Sequence, residues 1–182
     1  GWSLLSQFQN DLFTEIEKIL KPLFGEDWFK QCLTEEKWKS KSPEKELYVL
    51  LKETVLHANQ NFRIAIASSC KKSQSLTKMD LESLEKILNY RNQWSHEPSD
   101  NSKRISRADL RDLALNIKNF AISESLKSSC EYAIRTEELA DLIFSLPVVA
   151  RHLPINARNK VELSRISELI GKVNLNQPEG DS

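Results

Sequence analysis

Apolar residues return at every third or fourth position along most of this chain, and that spacing leaves little choice but helices. Leu4, Leu5, Phe8, Leu12, Phe13, Ile16, Ile19, Leu20 and Leu23 trace one helical face over residues 4–24. Pro22 and Gly25 set its end. Glu26 and Asp27 then introduce a short helix carrying Trp28, Phe29 and Leu33, and residues 34–43 are polar and lysine-rich, which predicts a loop. A second long helix is expected over residues 44–70, its stripe formed by Leu47, Leu50, Leu51, Val55, Ala58, Phe62, Ile66 and Ser69. Thr77 with Asp80, and Ser106 with Asp109, have the spacing of capping boxes and predict two further helix starts.

The helix from Lys78 puts Leu81, Leu84, Leu88, Arg91 and Ser95 on one face, and Glu97-Pro98 stops it because proline disfavours helical geometry in the residue before it. After a polar loop, the fourth helix turns Leu110, Leu113, Ile117, Phe120 and Ala121 inward, and either runs on toward Ala133 or breaks near Ser123. Residues 137–146 predict a short helix stopped by Pro147, and Asn156 caps a last helix up to Ile170. The chain of 182 residues contains only four glycines and six prolines, too few punctuating residues for a sheet protein with many tight turns. The expected fold is all-α: a four- to five-helix up-and-down bundle over residues 1–134, an accessory helical extension over 135–173 and a disordered tail over 174–182.

Charge and cysteine content narrow the function. With 26 basic and 26 acidic residues the chain lacks the overall basic surplus of many non-specific nucleic-acid binders, so any such role needs a local basic cleft. Cys32, Cys70 and Cys130 are far apart and odd in number, which implies neither a disulfide framework nor a metal ligand set and fits a reducing cytoplasm. No apolar run is long enough to span a bilayer. A start at Gly1 fits a piece of a larger protein. Glycine-rich phosphate loops and a Gly-x-Ser-x-Gly elbow are absent, which excludes P-loop, Rossmann and α/β-hydrolase chemistry within this chain.

One segment concentrates reactive side chains: Arg91-Asn92-Gln93-Trp94-Ser95-His96, at the end of the third long helix. A guanidinium is always cationic and matches phosphate oxygens with a planar fork. Imidazole titrates near neutrality, and an amide can orient a ring nitrogen or a ribose hydroxyl. Together they suit RNA cleavage without metal: a 2′-hydroxyl attacks the adjacent phosphate, a base takes its proton, an acid protonates the departing 5′-oxygen, and a cation steadies the charge. One histidine does not readily serve as both acid and base, whereas two chains about a two-fold axis supply two. On a regular helix Arg91 and His96 point about 140° apart, so a loosened last turn is needed to bring them together.

The Arg-Asn-x-Trp-small-His pattern resembles the signature of the HEPN superfamily, in the form seen in a transcript-surveillance endoribonuclease and in large bacterial multidomain proteins. The upstream run PLFGEDWF at residues 22–29 is similar to the same subgroup, and the resemblance covers residues 4–120. It implies a dimer with a shared cleft and metal-independent endoribonuclease activity in toxin–antitoxin, phage-defence or RNA-surveillance systems. It assigns catalysis to Arg91 and His96 with Asn92 in support, makes Trp94 structural, and implies no cofactor. Ser95 stands where the subgroup often carries alanine. Expected partners are RNA, a second copy, and a neutralising antitoxin or attached effector domains, with no membrane.

Local alternatives stand beside each of these readings. Arg91 and His96 both suit a helix C-terminus, where the macrodipole favours cations by roughly 0.3–1 kcal/mol. Lys103, Arg104 and Arg107 follow the motif closely enough to contact RNA phosphates, or form a solvated surface. Trp38 among Lys37, Lys39 and Lys41 permits the same two readings, Trp28 reads as a core anchor, and His57 as a packed or surface residue. The whole domain can also be a catalytically silent dimerisation or docking module. A nucleotide-modified switch through Tyr90 has only its hydroxyl to support it.

Overall fold

The computed structural model describes residues 1–39, 46–73, 75–95, 106–150 and 168, with backbone only for 141–150. The described residues are all-α and contain no strand. Helix α1 (Trp2–Phe24) buries Leu4, Leu5, Phe8, Leu12, Ile16 and Leu20, the three-four stripe of the sequence. Gly25 ends it at φ 80°, a left-handed conformation open to glycine without steric cost, and its N–H returns to the Lys21 carbonyl.

Helix α2 (Trp28–Cys32) folds back on α1 through aromatic contacts. Phe13 lies 5.2 Å from Trp28 and 5.4 Å from Phe29, and Phe29 stacks at 5.7 Å on Phe62. Trp28 is buried, the core anchor its position predicts. A short helix α3 (Glu36–Lys39) occupies part of the stretch expected to be loop. Its Lys39–Glu36 pair spans one turn at 2.8 Å.

The expected long second helix is two helices, α4 (Leu47–Val55) and α5 (Gln60–Ser69). The apolar period continues across the break, but Ala58 takes a positive φ of 52° and Asn59 starts a new helix by accepting the Phe62 N–H. The reason lies outside the local sequence. The Asn59 amide donates to the Cys32 carbonyl at 2.6 Å and to Glu53 Oε2 at 2.9 Å. Glu53 is fully buried and also accepts from Thr34 and from the Glu35 N–H. Arg63 closes the end of α4 by donating to the Thr54 carbonyl.

Both capping boxes form. Thr77 and Asp80 start α6 (Lys78–Ser95), and Ser106 and Asp109 start α7 (Arg107–Lys118). The chain then breaks at residues 119–123 and continues as α8 (Glu124–Ala150). Ser123 fixes that start by accepting the Leu126 N–H and donating to Asp11 of α1. Residues 137–146 are therefore the interior of a longer helix, which passes Pro147. A proline inside a helix removes one backbone bond without having to terminate the helix. The boundary expected at 134/135 falls within α8. The predicted helix at 156–170 and the tail at 174–182 lie outside the described residues, except Glu168, which is helical.

The helices close a ring: α1 packs on α5 and α8, α4 on α6, α6 on α7, and α7 on α8. Lys118–Glu131 at 2.9 Å and Arg111–Glu138 at 2.9 Å show α7 and α8 to be antiparallel. Phe8, Leu12, Ile16, Phe62, Ile66, Leu84, Ile87, Leu113 and Phe120 fill the centre. Each such side chain contributes about 1.5–3 kcal/mol by leaving water. No helix among the described residues is long and apolar enough to cross a membrane.

Candidate functional site

The C-terminal turn of α6 divides its side chains among three neighbours. Tyr90 turns toward α7, where its hydroxyl donates to Asp112 Oδ2 at 2.9 Å. Burial pushes the phenol's pKa up, and the Asp112 hydrogen bond and charge push it further the same way. That hydroxyl is committed to a structural bond. Trp94 is buried against the start of α1, so closely that a Cβ on Gly1 would meet its indole. Arg91, one turn before Ser95, faces α4.

Arg91 is partly exposed, and its guanidinium carbon lies 5.1 Å from the Tyr48 ring centre. Its Nη1 reaches Ser95 Oγ at 3.3 Å and makes a long contact with Asn92 Oδ1 at 3.5 Å. Arg91, Asn92 and Ser95 are thus brought together by helical spacing alone. Among the described residues no carboxylate lies within ion-pair distance of Arg91, and its Nε and Nη2 hold no hydrogen bond.

Arg91 borders an open cleft of about 250 Å³ between α1 and the start of α4. From α1 come Trp2, Leu5, Ser6 and Gln9, and across from them stand Glu46 and Leu47. Gln9 Oε1 accepts the Leu47 N–H at 3.0 Å, so one α1 side chain both caps α4 and fixes a cleft wall. A larger cleft of about 470 Å³ lies between α1 and α2. Glu17, Glu26 and Asp27 line it, and their charge disfavours a phosphate there.

Tyr48 belongs to this site although nothing in the spacing of residues marks it. It lies beside Trp38 edge to face at 5.8 Å, and Lys52 Nζ sits 5.7 Å from each ring. Lys37 Nζ stands over Trp38, 5.0 Å from its ring centre. Cations and aromatic rings therefore alternate from α3 across α4 to Arg91 on α6. Lys37 hydrogen-bonds Glu35, and this bond foremost holds the Glu35 carboxyl below its usual range. His57 lies in the α4–α5 turn, its Nε2 2.6 Å from Glu35. Trp38 thus packs within a charged cluster rather than on a free loop.

His96, Lys103 and Arg104 lie outside the described residues. Arg107 opens α7 and faces α8, its Nε 3.9 Å from Glu137, and it does not line the Arg91 cleft. Burial raises the thiol pKa of Cys32, Cys70 and Cys130 to about 11. None of the three is a ready nucleophile. Among the described residues no group of three histidine, cysteine or carboxylate side chains is arranged to hold a metal ion. No protein-family model, curated protein or solved structure matches the chain.

Proposed function

We propose that this chain is a metal-independent endoribonuclease of HEPN type, working as a homodimer with Arg91, Asn92 and His96 at a shared site. The observation that carries the reading is the Arg91 guanidinium: steadied by Tyr48, in no ion pair with a carboxylate among the described residues, and bordering a cleft at the end of α6. A preorganised cation of this kind stabilises a phosphorane-like transition state without reorganising during reaction. Asn92 stands beside it to orient the ribose or the imidazole. His96 from each copy serves as base and acid. The ring of helices α1, α4–α5, α6, α7 and α8 supports the four- to five-helix bundle that the sequence resemblance implies. Toxin, defence or RNA-surveillance roles and a neutralising partner belong to the same proposal, and Lys103 and Arg104 would add phosphate contacts.

The test is cleavage of structured and unstructured RNA in EDTA, with end-group analysis. The expected products carry 2′,3′-cyclic phosphate. His96→Ala should lower the rate about 10²–10⁴-fold, the usual worth of a general acid or base. Arg91→Ala should lower it as well. A strict monomer at high concentration, or no cleavage of any RNA by a dimer, would overturn the proposal. The second outcome leaves a silent dimerisation module, which the zero net charge favours.

A further inference from the structure

We infer that the cleft beside Arg91 is a subsite for one unpaired nucleotide, with Trp2 as its stacking face and Arg91 as its phosphate anchor. This deepens the ribonuclease reading and rests on it for RNA as the ligand, and it makes single-stranded RNA the substrate class. Trp2 is 52% exposed, while Trp28 and Trp94 are buried and Trp38 packs on Tyr48. A half-bared indole in a concave site is an unusual use of the largest apolar side chain. Indole faces take nucleobases because every base offers a π-face, and each base so stacked is worth a measurable share of the affinity.

The remaining groups fit a base edge. Leu5 and Leu47 supply apolar lining. Gln9 spends its oxygen on the Leu47 N–H, which leaves its amide N–H groups to donate. Ser6 can donate or accept, and the Glu46 carboxylate only accepts. Glu46 disfavours a bare anion but welcomes an exocyclic amino group. A ligand that carries both an amino-bearing ring and a phosphate satisfies both Glu46 and Arg91. Cytosine, adenine and guanine therefore bind in preference to uracil. A base held inside a duplex cannot reach Trp2 without leaving its stack.

Fluorescein-labelled 2′-O-methyl RNA hexamers test this by anisotropy, at fixed salt with EDTA. They lack the attacking hydroxyl, so binding is read apart from cutting. Trp2→Ala should weaken binding of an adenine or cytosine hexamer about tenfold to a hundredfold, with Trp2→Phe retaining most of it. The matching duplex and the uracil hexamer should bind more weakly than the adenine hexamer. In the wild type, the Trp2 indole N–H resonance should shift on titration while that of Trp28 does not, a measurement that needs no variant to fold. Unchanged affinity in a folded Trp2→Ala variant, equal duplex binding, or a silent Trp2 resonance overturns the inference. Cleavage that persists with Trp2→Ala unaffected in affinity sinks the subsite alone. Hexamer binding at Trp2 without any cutting activity upholds the subsite and removes the nuclease.

Discussion

Replacing Glu53 with alanine should destabilise the protein more than its position on a nine-residue helix suggests. The carboxylate is fully buried. Its Oε2 accepts from Thr34 Oγ1 at 2.7 Å, Asn59 Nδ2 at 2.9 Å and the Thr34 N–H at 3.0 Å, while Oε1 accepts from the Glu35 N–H at 3.3 Å. A hydrogen bond to a charged group is worth about 1.5–3 kcal/mol. The four do not add. Thr34 is exposed and rehydrates, and Asn59 Nδ2 keeps the Cys32 carbonyl. A loss of about 3 kcal/mol remains after those discounts, including the cavity left by the side chain. At about 2–4 °C per kcal/mol for a chain of this size, the melting midpoint should fall by roughly 6–12 °C. Glu53→Gln keeps an oxygen for the three Oε2 donors and opposes only the Glu35 N–H, so it should cost about 1–2 kcal/mol. Urea and thermal melts followed by circular dichroism give the order wild type, Gln, Ala. Amide exchange at Thr34 and Glu35 should accelerate in the alanine variant. An alanine variant within about 0.5 kcal/mol of wild type, with those amides still protected, would refute the reasoning.

Two further outcomes follow from named contacts. Burial alone would raise the Asp80 pKa, but hydrogen bonds from Lys72 and Thr77 outweigh it and hold the folded-state value below the ordinary one. The stability this adds is present above the ordinary carboxylate range and is lost as pH falls through the folded value, so Asp80→Asn should flatten the acid limb of the pH–stability curve below about pH 4. Tyr48→Leu should free the Arg91 guanidinium and lower RNA cleavage about two- to fivefold, the worth of a surface cation–π contact, whereas Tyr48→Phe keeps the ring and the rate. Equal kcat/KM in Tyr48→Leu and Tyr48→Phe would remove Tyr48 from the site.

How much of this was readable from the sequence depends on how far each feature reaches. The α1 stripe and the two capping boxes are local, and they place helix starts at Lys78 and Arg107 correctly. Arg91, Asn92 and Ser95 meet because they share a helix turn, so the spacing was enough. The α4–α5 break was not visible. Neither glycine nor proline marks it, and the apolar period runs straight across. It exists because Asn59 finds Cys32 and Glu53, one a distant neighbour and the other a carboxylate that looks solvent-facing until Thr34 and Glu35, in the turn after α2, bond to it. Tyr48 stayed hidden for the same reason: only the packing of α4 on α6 brings its ring under Arg91. Arg107 likewise meets Glu137, a partner on another helix that local spacing does not reveal.

The break between α4 and α5 also explains why a cleft exists beside Arg91. A single straight helix through Leu47 and Ser69 has one axis and would be committed to one neighbour along its length. Divided at Ala58, the same apolar residues serve two: α5 lies on α1, while α4 swings onto α6 and carries Tyr48 to Arg91. The start of α4 then stands off α1, held to it by the Gln9–Leu47 bond, and the space between them is the cleft that Trp2 and Arg91 line. The buried Glu53–Asn59 pair that creates the break is therefore a structural device with a consequence at the site. It sets the angle at which α4 presents Tyr48, and with it the orientation of the one cation on which the proposed chemistry depends.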